Sequence, residues 1–131
     1  MEPFSVLSLR YFLLKEDVIM RQIRELFKEN KDVWVYLSTD EAKDLFIKEI
    51  IREGFTWRNG KPVTKNIGGY LFGIHSDMTV AHLSNFIWCM SFQGVRYLDG
   101  TLPLRVDFEK FTRGDDDYIC REPYISGYMT M

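Results

Sequence analysis

Hydrophobic positions in the first half of the chain recur at helical spacing in two places. The first is "EDVIMRQIRELFKENK", where one face carries Ile19, Ile23, Leu26 and Phe27 and the opposite face carries Arg21, Arg24 and Lys28. The second begins after Thr39, a predicted N-cap, and ends at Gly54, a typical helix stop. Its predicted buried stripe is Ala42, Leu45, Phe46 and Ile50. We therefore expect two helices between Glu16 and Glu53.

Strand patterns surround and follow the second predicted helix. "DVWVYLS" is apolar on both faces of a strand, and after Phe55 short apolar segments alternate with turn residues. These segments are "FTWRNGKPVT", "GYLFGIH", "MTVAHLS", "FIWCMSF" and "LPLRVDF". The pattern predicts an α+β fold, with two helices of the N-terminal half packed on a mainly antiparallel sheet from the C-terminal half. With no internal repeat or composition break, residues 1–131 are predicted to form a single domain.

The segment "LPLRVDFEKF" has the most regular alternation in the chain. One face of this predicted strand carries Leu104, Val106 and Phe108, and the other carries Arg105, Asp107 and Glu109. The apolar face is expected to be buried. The charged face is either exposed to solvent or directed into a polar pocket, and the pattern leaves both alternatives open.

Charge and composition exclude several classes of function. Seventeen basic and nineteen acidic side chains give a net charge of -2, which argues against a general nucleic-acid binder. No apolar run approaches the roughly 20 residues that cross a bilayer, and the first residues make a poor secretory signal. With two cysteines only, a disulfide framework is not indicated. The expected location is the cytoplasm.

Motifs for catalysis and metal binding are weak. The chain has no Gly-x-Ser-x-Gly elbow, and neither cysteine has the signature of a reactive thiol. A structural role is favoured for both His75 and His82 over a catalytic or metal-binding one. The acidic run "GDDDY" is expected to be a solvated turn, because nothing in it resembles an EF-hand loop. No metal, cofactor or catalytic residue is predicted.

Three features together favour a ligand made of stacked rings and phosphates. The first is the basic face with Arg21, Arg24 and Lys28, and the second is the pair Trp57 and Arg58 beside a turn. The third is an aromatic and Met stripe along the predicted strand "FIWCMSF", consisting of Phe86, Trp88, Met90 and Phe92. Each has an ordinary structural explanation as solvated surface or core. Their combination of flat apolar surfaces with arginines suits a nucleotide-like ligand.

Several phrases of the chain resemble a known family. "EAKDLFIKEIIREGFTWRNGKPVT", followed by "GIHSDMTV" and closed by "LRVDFEKFTRGDDDY", is similar to small proteins of phages and Firmicutes, the first-described Thoeris anti-defence family. Members of that family are sponges: they bind cyclic ADP-ribose isomers made by bacterial TIR-domain proteins and hold them intact, so the defence effector stays inactive. The resemblance covers about residues 34–118. It implies sequestration of such a signal in the host bacterial cytoplasm.

The resemblance also implies site residues. The family's ligand pocket uses an aromatic ring, an asparagine and arginines, one of them late in the chain; Phe86, Asn85 and Arg105 fit these best. Arg105 would face a pyrophosphate, and Asp107 would orient Arg105 or accept from a ribose hydroxyl. Arg58 resembles an arginine of a second kind of site, for cyclic di- or trinucleotides in hexameric members. The predicted ligand-binding set also includes Arg24 and His75.

Two other functions compete with the sponge. A phage inhibitor that binds a host defence protein directly, as an anti-CRISPR does, would use the acidic and tyrosine-rich C-terminal region. A small hydrolase would use His75 with Asp77 or Asp107 as acid and base. We also expect a homo-oligomer, a dimer or a hexamer, because the chain carries more aromatic surface than one small core conceals. The N-terminal helix and the C-terminal tail are the expected contact regions.

Overall fold

A computed structural model describes residues 21–94 and 96–125 of the chain. The elements follow in the order 3-10 helix Ile23–Phe27, β1 Asp32–Tyr36, α1 Asp40–Glu53, β2 Thr56–Trp57, β3 Leu71–His75, β4 Thr79–His82, α2 Asn85–Ser91, β5 Leu104–Asp107 and α3 Phe108–Thr112. This confirms the predicted α+β class. The part of the first predicted helix that precedes Arg21, including Ile19, lies outside the described residues.

The five strands form one mixed sheet in the order β2-β4-β3-β1-β5. Its central pairs, β1 with β3 and β3 with β4, are antiparallel, whereas the outer strands β5 and β2 pair in parallel with β1 and β4. The predicted antiparallel pairing is found in the centre of the sheet, and parallel pairing at both edges makes the sheet mixed. The chain reaches β5 only after α2 and a loop. Because this long connection crosses over the sheet, β5 can run parallel to β1, which a short hairpin would not allow.

The helix α1 matches its sequence signals closely. Thr39 accepts a hydrogen bond from the amide of Ala42 at 3.0 Å, and Gly54 ends the helix with φ of 91°, a conformation that favours glycine. Leu45 is an exception to the predicted stripe, because it is partly exposed while Ile47 is buried in its place.

Both faces of the sheet are covered. On the first face, Val33 and Val35 pack under α1, the 3-10 helix and α3, in a core centred on Phe46, whose ring lies 5.5 Å from that of Phe72. On the second face, Trp34 of β1 packs with the completely buried Trp88 of α2. The apolar character of β1 on both sides is explained by these two cores.

The segment "FIWCMSF" is a helix, so its prediction as a strand was wrong. Ser84 caps the helix by accepting from the amide of Ile87 at 3.1 Å, and seven residues form α2. Short apolar runs are ambiguous between strand and buried helix. As a consequence, Phe86 and Trp88 do not share a face: Trp88 is buried, while Phe86 is 36% exposed.

The alternation of "LPLRVDFEKF" also stops earlier than predicted. Asp107 ends β5 and caps α3, with its Oδ1 accepting from the amide of Lys110 at 3.3 Å. Beyond it the chain is helical. Phe108 is buried in the first core, as predicted, and Glu109 accepts a hydrogen bond from the Ser38 hydroxyl.

The described part of the C-terminal tail lies on the chain's own body. The amide of Asp107 donates to the carbonyl of Tyr118 at 2.8 Å, and the amide of Cys120 donates to that of Arg105 at 2.9 Å. The Trp88 indole donates to the carbonyl of Pro123. Residues 118–120 thus pair along the outer edge of β5, and Pro123 lies against α2.

A buried carboxyl group of α1 binds the 3-10 helix, and a second carboxyl group lies beside it. Glu53, whose side chain is fully buried, accepts hydrogen bonds from the amides of Ile23 at 2.7 Å and Arg24 at 3.1 Å. Burial opposes the charge on Glu53, but hydrogen bonds from Glu49 and from these amides lower its pKa below the usual range. Burial raises the pKa of Glu49 to about 7, although the hydrogen bond with Arg52 opposes this.

This pair predicts a pH-dependent stability. Between about pH 4.5 and 7 the folded chain keeps a proton on Glu49 that the unfolded chain has lost, so the free energy of unfolding should fall as pH rises, by up to a few kcal/mol. Below about pH 4.5 the protonation of Glu53 should also destabilise the fold. Urea unfolding should therefore show maximal stability near pH 5.

Glu49→Gln should flatten the decline between pH 4.5 and 7, because it removes the group that binds the proton. The matched control is Glu41→Gln, at an exposed position in the first turn of the same helix. An unchanged decline in Glu49→Gln would contradict the assignment.

Candidate functional site

The predicted site residues do not form a single cluster. Arg24 lies on the 3-10 helix and its Nε pairs with Glu53 at 3.3 Å, within the elements that cover the first face of the sheet. Arg105 lies on the second face, against α2. Arg24 and Arg105 therefore lie on opposite faces of the sheet and do not line a common pocket.

Arg105 binds the last turn of α2. Its Nη1 donates to the carbonyl of Ser91 at 2.9 Å and lies 3.2 Å from the Ser91 hydroxyl, and its guanidinium lies 3.9 Å from the centre of the Phe92 ring. A cation is favourable at the negative end of a helix dipole and over an aromatic face. The Arg105 side chain is thus directed at the end of α2 and not at a carboxylate. The pyrophosphate contact of Arg105 stays a prediction.

Asp107 is nearly buried and serves the fold. Besides capping α3, it neighbours Cys120, and burial together with this carboxylate raises the pKa of that thiol to about 12. The other thiol, Cys89, is also buried and donates to the carbonyl of Ile125 at 3.4 Å. Neither thiol has the exposed, electropositive surroundings of a reactive cysteine.

His75 belongs to a chain of polar side chains at one end of the sheet. Its Nδ1 lies 2.5 Å from Oδ1 of Asp32, and its Nε2 lies 2.8 Å from Nη2 of Arg58. Because a guanidinium only donates, Nε2 must accept, and Nδ1 carries the proton that it donates to Asp32. The sequence hypothesis paired His75 with Asp77 or Asp107. Its partner is Asp32, which lies 43 positions away in the chain.

The side chains of Trp57 and Arg58, although adjacent in sequence, have different partners. The Trp57 ring stacks on His82, with centroids 5.1 Å apart, and His82 lies 5.0 Å from the ring of Phe72. Arg58 instead contacts His75. The Trp57 ring and the Arg58 guanidinium are thus not directed at one shared site. His82 packs between two aromatic rings.

An apolar cavity of about 270 Å³ lies between α2 and the loop that leads to β5. Its wall on α2 contains Phe86 and Met90, which are four positions apart and therefore share a helix face. We call it the ring cavity; it is lined by Trp34, Phe86, Ile87, Met90, Ser91, Arg96, Tyr97, Leu102 and Pro103. Among these described residues, Arg96 is the one with a charge. Of the predicted set, only Phe86 lines this cavity.

A second cavity, of about 380 Å³, adjoins the ring cavity and shares Tyr97, Leu102 and Pro103 with it. Its other lining residues are polar: Glu29, Asn30, Lys31, Asp32, Asp99 and Thr101. Asp99 is fixed by its own loop, since its Oδ1 accepts from the Thr101 hydroxyl at 2.6 Å and from the Thr101 amide. Three carboxylates and one lysine make this polar cavity acidic.

Sequence reasoning missed Arg96 and Tyr97, because "VRYLDGT" was interpreted only through its turn. Trp34 was indicated by the sequence, since a large aromatic residue on the second face of a central strand must be buried against another element. Met90 was singled out, but on the wrong element. No local pattern in the sequence indicates that Asp32 and Tyr97 lie close together, because they are far apart in the chain.

Within residues 21–94 and 96–125, no three His, Cys, Asp or Glu side chains are grouped so that they could hold a metal ion. No described helix is both long and apolar enough to cross a membrane. Comparison of the chain with protein-family models, with curated proteins and with solved structures found no match.

The surroundings of Tyr97 predict its titration. Burial raises the pKa of Tyr97, and the neighbouring Asp32 carboxylate raises it further. Asp32→Asn should therefore lower this pKa towards, but not below, the usual value, as measured by NMR titration of the ring carbons. Asp40→Asn, which removes the carboxylate beside Tyr70 instead, is the control and should leave Tyr97 unchanged. An equal pKa in the wild type and Asp32→Asn would contradict the arrangement.

Proposed function

We propose that the chain binds a small nucleotide-like signal of the cyclic ADP-ribose class and sequesters it without cleaving it, so that host antiphage signalling is blocked. The observation that carries this proposal is the ring cavity. It combines aromatic and thioether surfaces with one arginine, which suits a flat base attached to an anionic group.

The ring half of such a ligand has suitable contacts. Trp34, Phe86 and Tyr97 line the cavity with flat surfaces, and stacking of a base on an aromatic side chain contributes roughly 1–3 kcal/mol. Met90 adds an adaptable apolar contact. Phe86 thereby keeps the role that the resemblance implied, on a helix rather than on a strand.

The phosphate half is best served by Arg96. Arg96 lines the cavity, whereas Arg105 is directed at Ser91. Burial lowers the pKa of Arg105, and the nearby Arg96 guanidinium adds to this effect. A guanidinium binds phosphate with two parallel hydrogen bonds. We therefore assign the anion contact to Arg96.

Binding without chemistry agrees with the state of the nucleophiles and bases. Both ring nitrogens of His75 have protein partners, so the imidazole has no nitrogen left to take a proton from a ligand. Both thiols are buried. These observations support a sponge over the hydrolase hypothesis built on His75.

The proposal places the chain in the cytoplasm of the host bacterium, where such signals are made, as a homo-oligomer. Exposed apolar side chains lie at the ring cavity and beside it: Ile87 in its lining is 49% exposed, and Leu98 at the tip of the neighbouring loop is fully exposed. Covering them with a second copy would remove apolar surface from water. A dimer or hexamer in sedimentation at micromolar concentration is expected, and a monomer would contradict this part.

The same exposed side chains favour a second candidate function, direct inhibition of a host protein. Leu98 and Ile87 would then be inserted into the partner. In bacteria that carry a TIR-type defence, Phe86→Ala should weaken the inhibition of defence if the chain is a sponge. Leu98→Asp should abolish it, with Phe86→Ala silent, if the chain binds a host protein.

Calorimetry with cyclic ADP-ribose tests the sponge directly. Phe86→Ala should weaken binding about tenfold to a hundredfold through lost stacking. Arg96→Ala should weaken it similarly through the lost charge-assisted hydrogen bonds. The matched controls are Tyr70→Ala and Arg121→Ala, an exposed ring and an exposed arginine outside the ring cavity.

The fate of the ligand is a separate prediction. After incubation and heat denaturation, the released cyclic ADP-ribose should have its original mass. A cleaved product that disappears in His75→Ala would instead establish the hydrolase. Absence of binding by any cyclic ADP-ribose isomer or mononucleotide would contradict the sponge.

A further inference from the structure

We infer that Arg105 is the positioning residue of the ring cavity: it fixes the wall that α2 contributes, and it affects ligand binding without touching the ligand. This inference rests on the proposed function of the cavity. It also replaces the direct pyrophosphate contact suggested by the sequence resemblance.

The helix α2, which forms one wall of the ring cavity, is short and depends on contacts with other elements for its position. With seven residues it has about two turns, and a helix of that length is not stable by itself. Its N-terminal end is capped by Ser84. Its C-terminal end has no helical continuation, because the chain turns at Phe92 towards the loop.

Arg105 supplies the fixing at that end. Its Nη1 donates to the last carbonyl of α2, that of Ser91, and its guanidinium covers the Phe92 ring. Ser91 itself lines the ring cavity, and its hydroxyl donates to the carbonyl of Trp88 at 2.6 Å. The contact therefore connects β5 directly to the cavity wall.

The aromatic side chains continue this connection into the core. The Phe92 ring meets Trp88 edge-on, with centroids 5.2 Å apart, and Trp88 is completely buried. Trp88 in turn stacks near Tyr36 of the central strand β1. Arg105 thus closes a contact series between two strands and α2, and this series sets the distance between α2 and Trp34 across the cavity.

A positioning role and a phosphate contact predict different results for Arg105→Ala. If Arg105 sets the width of the cavity, the loss of affinity concerns the ring and is independent of phosphate. If Arg105 grips phosphate, only phosphorylated ligands lose affinity. Adenosine and adenosine 5′-monophosphate are therefore the paired probes, measured by calorimetry on the full chain.

We expect Arg105→Ala to weaken binding of both probes by the same factor, on the order of tenfold, since it removes a charge-assisted hydrogen bond. Arg96→Ala should weaken the monophosphate alone. Arg105→Lys should restore part of the affinity, because an ammonium reaches the carbonyl but does not reproduce the planar stack on Phe92. Arg121→Ala is the control for a lost surface arginine.

A ligand-free measurement accompanies the titrations. Hydrogen exchange of the Trp88, Cys89 and Met90 amides should accelerate in Arg105→Ala more than exchange in α1, and not in Arg121→Ala. This comparison separates a loosened wall from general destabilisation of the fold.

Loss of affinity for the monophosphate only, or unchanged exchange in α2, would overturn the positioning role. If the wild type binds neither probe nor cyclic ADP-ribose, the proposed function itself fails, and this inference fails with it. That outcome is recognised from the wild-type titrations alone, before any variant is measured. Equal losses with faster exchange in α2 support the inference.

Discussion

The central strand β1 must bury both of its faces, and most of the structure follows from this constraint. Val33 and Val35 on one side are covered by α1, a long and well-capped helix. Trp34 and Tyr36 on the other side are covered by α2 and the C-terminal tail, which are short. A large ring covered by short elements leaves space beside it, and the ring cavity is that space.

The two faces consequently have different physical roles. The first core is closed by apolar packing and by the buried carboxylates of α1, whose pKa shifts predict a stability that depends on pH. The second face is held by a small number of directed contacts, among them that of Arg105 with Ser91. Elements of low intrinsic stability next to a rigid sheet are where binding sites commonly lie.

Local signals in the sequence were sufficient for α1, β3 and β4. Thr39 and Gly54 define α1 by caps that depend on neighbouring residues, and the turns around β4 are equally local. The failures were at long range or at ambiguous lengths. A seven-residue segment that is mostly apolar does not distinguish α2 from a strand, and the pairing of β5 with β1 depends on a crossover that no short pattern encodes.

The candidate site shows the same division. Phe86 was identified by its residue type and lines the cavity, although on a different element than expected. Arg105 was assigned to the site through the resemblance, and the structure gives its guanidinium partners at the end of α2. Asp32 and Tyr97 lie far apart in the chain and meet only through the fold, so no motif indicates them.

The most direct test of the central claim is a crystal structure of the chain with cyclic ADP-ribose. The account predicts that the base lies between Trp34 and Phe86 in the ring cavity, with phosphate at Arg96 and Arg105 still on Ser91. A ligand bound at Arg24 or Arg58, or phosphate held by Arg105 itself, would contradict it.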